Sequence, residues 1–211
     1  MPVHQLKSRF ETLLRPLSDR LAARGMTANE VTLLWLTGSL VVGSYMLAAP
    51  DRHWFLLLPI WLPVRIAMEA IAGMLAREHG QKGFVGTYLR EIGGLVSDAV
   101  LYVPFAIVAP FSVNWFVAIV ALMLLAEVAG ILGASIGASR RNDGPFGKVD
   151  RAVVFGLLGA WVGISGSLPE WLHLLQPAIC LALVLTIGNR IRAGVREAES
   201  KASSETLSHL S

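Results

Sequence analysis

Apolar residues in this chain run in long blocks. Six blocks, at 29–49, 54–76, 93–111, 115–138, 152–167 and 171–188, are long enough or nearly long enough to cross a bilayer as a helix, the fifth being the shortest. A hydrocarbon core of about 30 Å takes about 20 helical residues. Ahead of them Leu6, Phe10, Leu13, Leu14, Leu17 and Leu21 recur at helical spacing with basic residues between, the pattern of an amphipathic helix lying on a membrane surface. After Glu197 the chain is polar and rich in Ser, and it reads as disordered. The pattern predicts an all-α integral membrane protein in three parts: an amphipathic interfacial helix within 1–28, six transmembrane helices over 29–190, and a polar tail over 191–211.

Composition supports a membrane protein over a soluble one: 54% of residues are hydrophobic and 16% charged, where soluble domains carry about 25% charge. The placement of charge then orients the spans. Lys7, Arg9, Arg15, Arg20 and Arg24 precede the first. Arg77, Lys82 and Arg90 follow the second, Arg140, Arg141, Lys148 and Arg151 follow the fourth or open the fifth, and Arg190, Arg192, Arg196 and Lys201 follow the sixth. The opposite connections hold only Arg52, and Arg65 lies inside a span. Because cytoplasmic loops collect Lys and Arg, both termini are expected in the cytoplasm, most simply across a bacterial inner membrane. The first 28 residues contain no continuous apolar core, so no secretory signal peptide is expected. Cys180 is the only cysteine and reads as a small buried hydrophobe. His53, His79 and His173 show no ligand spacing for zinc, and no nucleic-acid partner is expected.

Candidate chemistry sits at the end of the second span. Gly73 and Ala76 are three residues apart and share a helix face, with Glu69 one turn earlier and Arg77 at the helix end. Glycine and alanine there allow close approach of a phosphate or a neighbouring helix, and an arginine fork can pair with phosphate. Charges inside spans are functional candidates by default. Arg65 and Glu69, four apart, read as a self-neutralising pair; Asp98 and Glu127 read as interhelical polar contacts or as ligands. Lys148 and Arg151, with Arg140 and Arg141, form the densest basic patch, suited to phosphate or anionic headgroups. The run from Gly144 to Lys148 is not a Walker A loop, since no Ser or Thr follows the lysine. Gly130, Gly133 and Gly137 read as close helix packing.

In residues 69–94, EAIAGMLAREHGQKGFVGTYLREIGG, eight residues separate Gly86 from the G-x-x-A-R of Gly73, Ala76 and Arg77. This skeleton resembles the CDP-alcohol phosphotransferase family, whose pattern is D-x-x-D-G-x-x-A-R, eight residues, then G-x-x-x-D-x-x-x-D. Thr27-Ala28-Asn29-Glu30-Val31-Thr32 and Gly147-Lys148-Val149-Asp150-Arg151-Ala152 resemble its entries into the first and fifth helices, so the resemblance covers nearly the whole chain. It implies six helices, a homodimer, a role in phospholipid biosynthesis, and transfer of a phosphatidyl-type group with release of CMP. Gly73, Ala76, Arg77 and Gly86 would then meet the CDP diphosphate, and Lys148 and Arg151 an acceptor or lipid phosphate.

The family's four aspartates hold two divalent metals, which neutralise the diphosphate and help activate the acceptor. Here those positions are Glu69, Ala72, Arg90 and Gly94. Arg90 opposes a cation and offers a charge in its place. Three readings follow. The chain is a family member impaired in two-metal catalysis that keeps nucleotide or lipid-phosphate binding, with no cofactor. Alternatively it is an active transferase whose Mg²⁺ or Mn²⁺ site is rebuilt on Glu69 and Asp98, helped by Glu91 or Glu127. In the third reading it is a membrane interaction protein without a small ligand.

Overall fold

The computed structural model describes the backbone of residues 3–49 and 51–209 and the side chains of 9–49 and 51–204. The expectations for the side chains of Leu6 and Lys7 lie outside the described residues. Among the described residues there is no strand, and the chain forms α1 (Val3–Ala23), α2 (Ala28–Ala48), α3 (Leu57–Glu78), α4 (Phe84–Tyr102), α5 (Val113–Ser135), α6 (Lys148–Ser165) and α7 (Leu175–His209). Short 3-10 turns at Arg52–Leu56, Val103–Ile107 and Glu170–Leu174 precede α3, follow α4 and precede α7.

Among the described residues, four stretches are long and apolar enough to cross a membrane: α2, Arg52–Glu78, α5 and Glu170–Ser204. Only 33% of the most apolar window of α2 is buried inside the protein, so most of its surface faces outward. Such outward apolar surface is what a lipid-facing helix requires. The six-span count is not met by this measure. α4 carries Arg90, Glu91 and Asp98, and α6 carries Lys148, Asp150 and Arg151, which lowers the hydropathy of both. The third apolar block, read as 93–111, is displaced: its helix starts at Phe84 and ends at Tyr102. Charges early in α4 hide its start from hydropathy, and Pro104 follows its end.

The chain divides into two compact units, Met1–Pro104 with Phe155–Gly166, and Phe105–Val154 with Ser167–Ser211. In the first unit α2 packs against α3 and α4, and α1 packs against α3. The capping box of Thr27 and Glu30 opens α2: the Glu30 carboxylate accepts from the Thr27 N–H at 2.7 Å, and the Glu30 N–H donates to Thr27 Oγ1 at 3.2 Å. The core is an apolar cluster built on Val31, Trp35, Ile71, Ala72, Met74 and Leu75, covered from α1 by Leu14 and Leu21. The apolar positions of α1 are therefore split. Leu14 and Leu21 face this core, while Phe10, Leu13 and Leu17 remain exposed. The second half of α6 is held close by glycines: a Cβ on Gly159 would meet the Phe55 carbonyl at 2.9 Å and Leu58 at 3.0 Å.

In the second unit α5 packs along α7, and Gln176 pairs with the backbone of Ser112, its amide accepting from the Ser112 N–H at 3.2 Å and donating to the Ser112 carbonyl at 3.1 Å. The end of α5 is a Schellman turn. Gly137 takes φ +84, and the Ala138 N–H donates to the Gly133 carbonyl at 3.0 Å. Gly130 and Gly133 make room for the returning chain as well as for α7, where a Cβ on Gly194 would meet the Gly133 Cα at 3.8 Å. A Cβ on Gly130 would meet the Arg141 carbonyl at 2.6 Å, and one on Gly133 the Ser139 carbonyl at 3.0 Å. The segment beyond Glu197, read as disordered, is helical to His209. Glu197 pairs with Lys201 at 2.9 Å one turn on, and Lys201 donates to the Gly137 carbonyl at 3.0 Å, so the extension is tied to the connection after α5.

Candidate functional site

The motif skeleton lies at the end of α3 and the start of α4, in the first unit. Ion pairs join it to one stripe of α1. Glu11 accepts from Arg77 at 3.0 Å, Arg15 forks onto Glu78 with two contacts of 3.1 Å, and Asp19 meets His79 at 3.1 Å. Residues 11, 15 and 19 are successive turns of one helix face, so α1 is matched in register to Arg77 and Glu78 of α3 and to His79, which caps it. The Glu78 contact holds the Arg15 guanidinium further above its ordinary range. Gln81, in the spacer, ties the start of α2: its amide oxygen accepts from the Ala28 N–H at 2.6 Å and its nitrogen donates to the Met26 carbonyl at 3.3 Å.

The two motif glycines have different surroundings. A Cβ on Gly73 would meet only the Arg77 guanidinium, at 3.3 Å, so the open face of Gly73 is filled by the side chain one turn on. A Cβ on Gly86 would collide with the Asn29 side chain, so Gly86 permits the approach of α4 to the start of α2. Arg77 is exposed and held by Glu11, accessible to an anion that can displace a carboxylate.

The four positions that correspond to aspartates in the resembled pattern have separate fates. Glu69 is half-buried. Ala72 is 1% exposed and part of the apolar core, and Arg90 is half-buried at the surface of α4. Gly94 offers only its carbonyl, which accepts from Arg65 Nη2 at 3.2 Å. Arg65, not Arg90, supplies the cation here. Its guanidinium is fully buried, lies 2.6 Å from the Asp98 carboxylate, and sits 5.5 Å from the centre of the Trp35 ring. Glu69 adds a weaker electrostatic attraction. The expected Arg65–Glu69 attraction is therefore joined by a closer interhelical pair, because Asp98 brings its carboxylate into direct contact. A guanidinium at bilayer depth costs about 2.5–3.5 kcal/mol on insertion scales. A carboxylate in contact and an aromatic face offset that cost.

This donor set does not fit a pair of divalent cations. Asp98 is committed to an internal cation, Ala72 lies in apolar packing, and among the described residues no three His, Cys, Asp or Glu side chains are grouped to hold a metal ion.

In the second unit the connection after α5 and the start of α6 build a cationic cluster. The Gly147 N–H donates to the Asp150 carboxylate at 2.8 Å, which caps α6 and turns Arg151 inward. Arg151 is fully buried and donates to Glu127 of α5 at 2.8 Å. Arg190 of α7 lies 3.4 Å from the same Glu127 oxygen and Arg140 lies 3.6 Å from the other. Arg190 also donates to the backbone carbonyls of Ala126 and Asp143. Three guanidiniums thus meet one carboxylate, and Arg140 is the member that reaches the surface. Lys148 is half-buried on the first turn of α6. Next to the cluster Arg141 is bound by Asp143 at 2.7 Å and Glu197 at 2.6 Å; the Asp143 hydrogen bond foremost raises its pKa above the ordinary range.

No protein-family model matches the chain. Over 193 residues it is 38% identical to Inner membrane protein YnbA of Escherichia coli (strain K12), covering 92% of this chain and 96% of that protein. The chain belongs to the YnbA family. As a YnbA-family protein with helices of spanning length, it is an integral membrane protein whose helices sit in a lipid bilayer.

Sequence reasoning singled out Glu127 and Asp98 but missed Glu11, Gln81 and Arg190, and gave Arg65 only its weaker partner, Glu69. An intramembrane arginine demands a carboxylate that its own helix need not supply, and Asp98 carried that signal. Nothing in the spacing alone brings Arg190 to Glu127.

Proposed function

We propose that this protein is a CDP-alcohol phosphotransferase-like membrane protein of phospholipid biosynthesis that holds the phosphate of a nucleotide or lipid and does not perform two-metal catalysis. The observation that carries this reading is the meeting of Arg140, Arg151 and Arg190 on the single carboxylate of Glu127. Guanidinium forks gathered at one carboxylate match the oxygens of a phosphate that exchanges with it. The retained Gly73, Ala76, Arg77 and Gly86 support a second phosphate contact, in which a diphosphate exchanges with Glu11 on Arg77. Loss of the motif acids, with Arg65 as built-in cation for Asp98, favours binding over transfer.

In this reading α2 to α7 are six spans, both termini are cytoplasmic in a bacterial inner membrane, the exposed Phe10, Leu13 and Leu17 of α1 rest on the lipid surface, and the protein is a homodimer. The test is thermal unfolding of purified protein with CDP-diacylglycerol. The ligand raises Tm, Arg140→Ala and Arg77→Ala each reduce the increase, and no CMP is released. Absence of any increase at saturating ligand defeats the proposal.

A further inference from the structure

A second cationic feature lies beside α7, on residues the preceding reading does not use. An open cleft of about 550 Å³ is lined by Arg141, Asp143, Asn189, Arg192, Arg196 and Glu197, all within the second unit. Arg141, Asp143 and Glu197 satisfy one another. Arg192 and Arg196 are exposed, and neither guanidinium has a hydrogen-bond or ion-pair partner among the described residues. With Asn189 they occupy successive turns of one helix face, so three donors are spaced along about 10 Å of α7.

Two further observations indicate what such a row would bind. The apolar block of α7 ends at Gly188, so the donors begin where the helix leaves its apolar stretch, the level of lipid phosphates. Leu181, Val184, Ile191 and Val195 are exposed and fall on one helix face, which continues past Gly188 along the edge of the arginine row. A bound molecule would therefore meet fixed cations on one side and an apolar ridge on the other. A free phosphate uses only the first; an anionic lipid uses both.

We infer that this cleft is a binding site for the phosphate of an anionic membrane lipid, taken by Arg192 and Arg196 while the acyl chains follow the Leu181–Val195 ridge. Guanidiniums near the surface each contribute about a five-fold gain in affinity for anionic lipid.

The test uses the full chain purified in a neutral detergent, with thermal unfolding followed against added phosphatidylglycerol, phosphatidylcholine or inorganic phosphate. Phosphatidylglycerol is expected to raise Tm well beyond phosphatidylcholine, with half-saturation shifted roughly 30-fold higher in R192Q/R196Q. R192K/R196K, which keeps both charges, retains most of the response. Single variants R192Q and R196Q, each about five-fold weaker, carry the test if the double variant unfolds. Equal responses to phosphatidylglycerol and phosphatidylcholine, or an unchanged response in R192Q/R196Q, overturn the site. A response to inorganic phosphate at the same concentration as phosphatidylglycerol overturns the lipid assignment. R77A leaves the phosphatidylglycerol response intact, which separates this inference from CDP-alcohol binding.

Discussion

Removing Arg65 exposes the energetic logic of the first unit. The guanidinium is fully buried and lies 2.6 Å from Asp98, itself 4% exposed. With charge centres about 4 Å apart and an effective dielectric of about 20, the attraction is about 4 kcal/mol. Arg65→Met removes it and leaves Asp98 as a buried, uncompensated carboxylate, at a cost of about 3–5 kcal/mol. Asp98→Leu leaves the buried guanidinium with only the Gly94 carbonyl, the Trp35 ring and the weaker attraction of Glu69, so its loss falls toward the lower end of that range. For a chain of this length each kcal/mol shifts Tm by about 2–4 °C, so each single variant loses about 6–20 °C. R65M/D98L removes both charges and fills the space with apolar atoms, so it recovers most of the loss. The assay is heat unfolding of the four proteins in one detergent, followed by near-ultraviolet circular dichroism. Single variants that lose only a degree or two, or a double variant as unstable as the worse single, would refute the idea that this pair is a built-in counter-charge.

Three other outcomes follow from the same geometry. Gly73→Ala is nearly neutral in stability because its Cβ meets only the flexible Arg77 tip, whereas Gly130→Ala meets a backbone carbonyl at 2.6 Å and costs about 1–3 kcal/mol, read as a lowered Tm. Glu127→Gln leaves three guanidiniums around a neutral amide; stability falls by about 3–5 kcal/mol and is partly restored by added phosphate or sulfate, which chloride at equal ionic strength does not do. Glu11→Gln frees Arg77 from an exposed pair that itself contributes about 0–1 kcal/mol, so Tm barely moves while half-saturation by CDP-diacylglycerol falls to lower concentration.

Much of this arrangement was legible from residue order, for identifiable reasons. The helical spacing of Leu14 and Leu21 marked α1, and the isolated Asp98 and Glu127 inside apolar blocks marked interhelical contacts. Hydropathy lost the start of α4, because Arg90 and Glu91 fall in its first half. It also lost the helical tail, whose order comes from Glu197 and Lys201 gripping the connection after α5 and not from apolar residues. Arg65 was paired with Glu69 because helix spacing is visible in one dimension, while its contact with Asp98 depends on how α3 and α4 pack. The glycines after Glu127 signalled close approach correctly, but spacing cannot say whether a helix or a returning strand of coil fills the space.

The central claim is phosphate binding without two-metal chemistry. It is tested most directly by mixing purified protein with CDP-diacylglycerol and a panel of acceptor alcohols, in Mg²⁺, in Mn²⁺ and in EDTA, while Tm and free CMP are measured on the same samples. The predicted result is a CDP-diacylglycerol-dependent rise in Tm that is the same in metal and in EDTA, with no CMP. Release of CMP that requires Mg²⁺ or Mn²⁺ contradicts it.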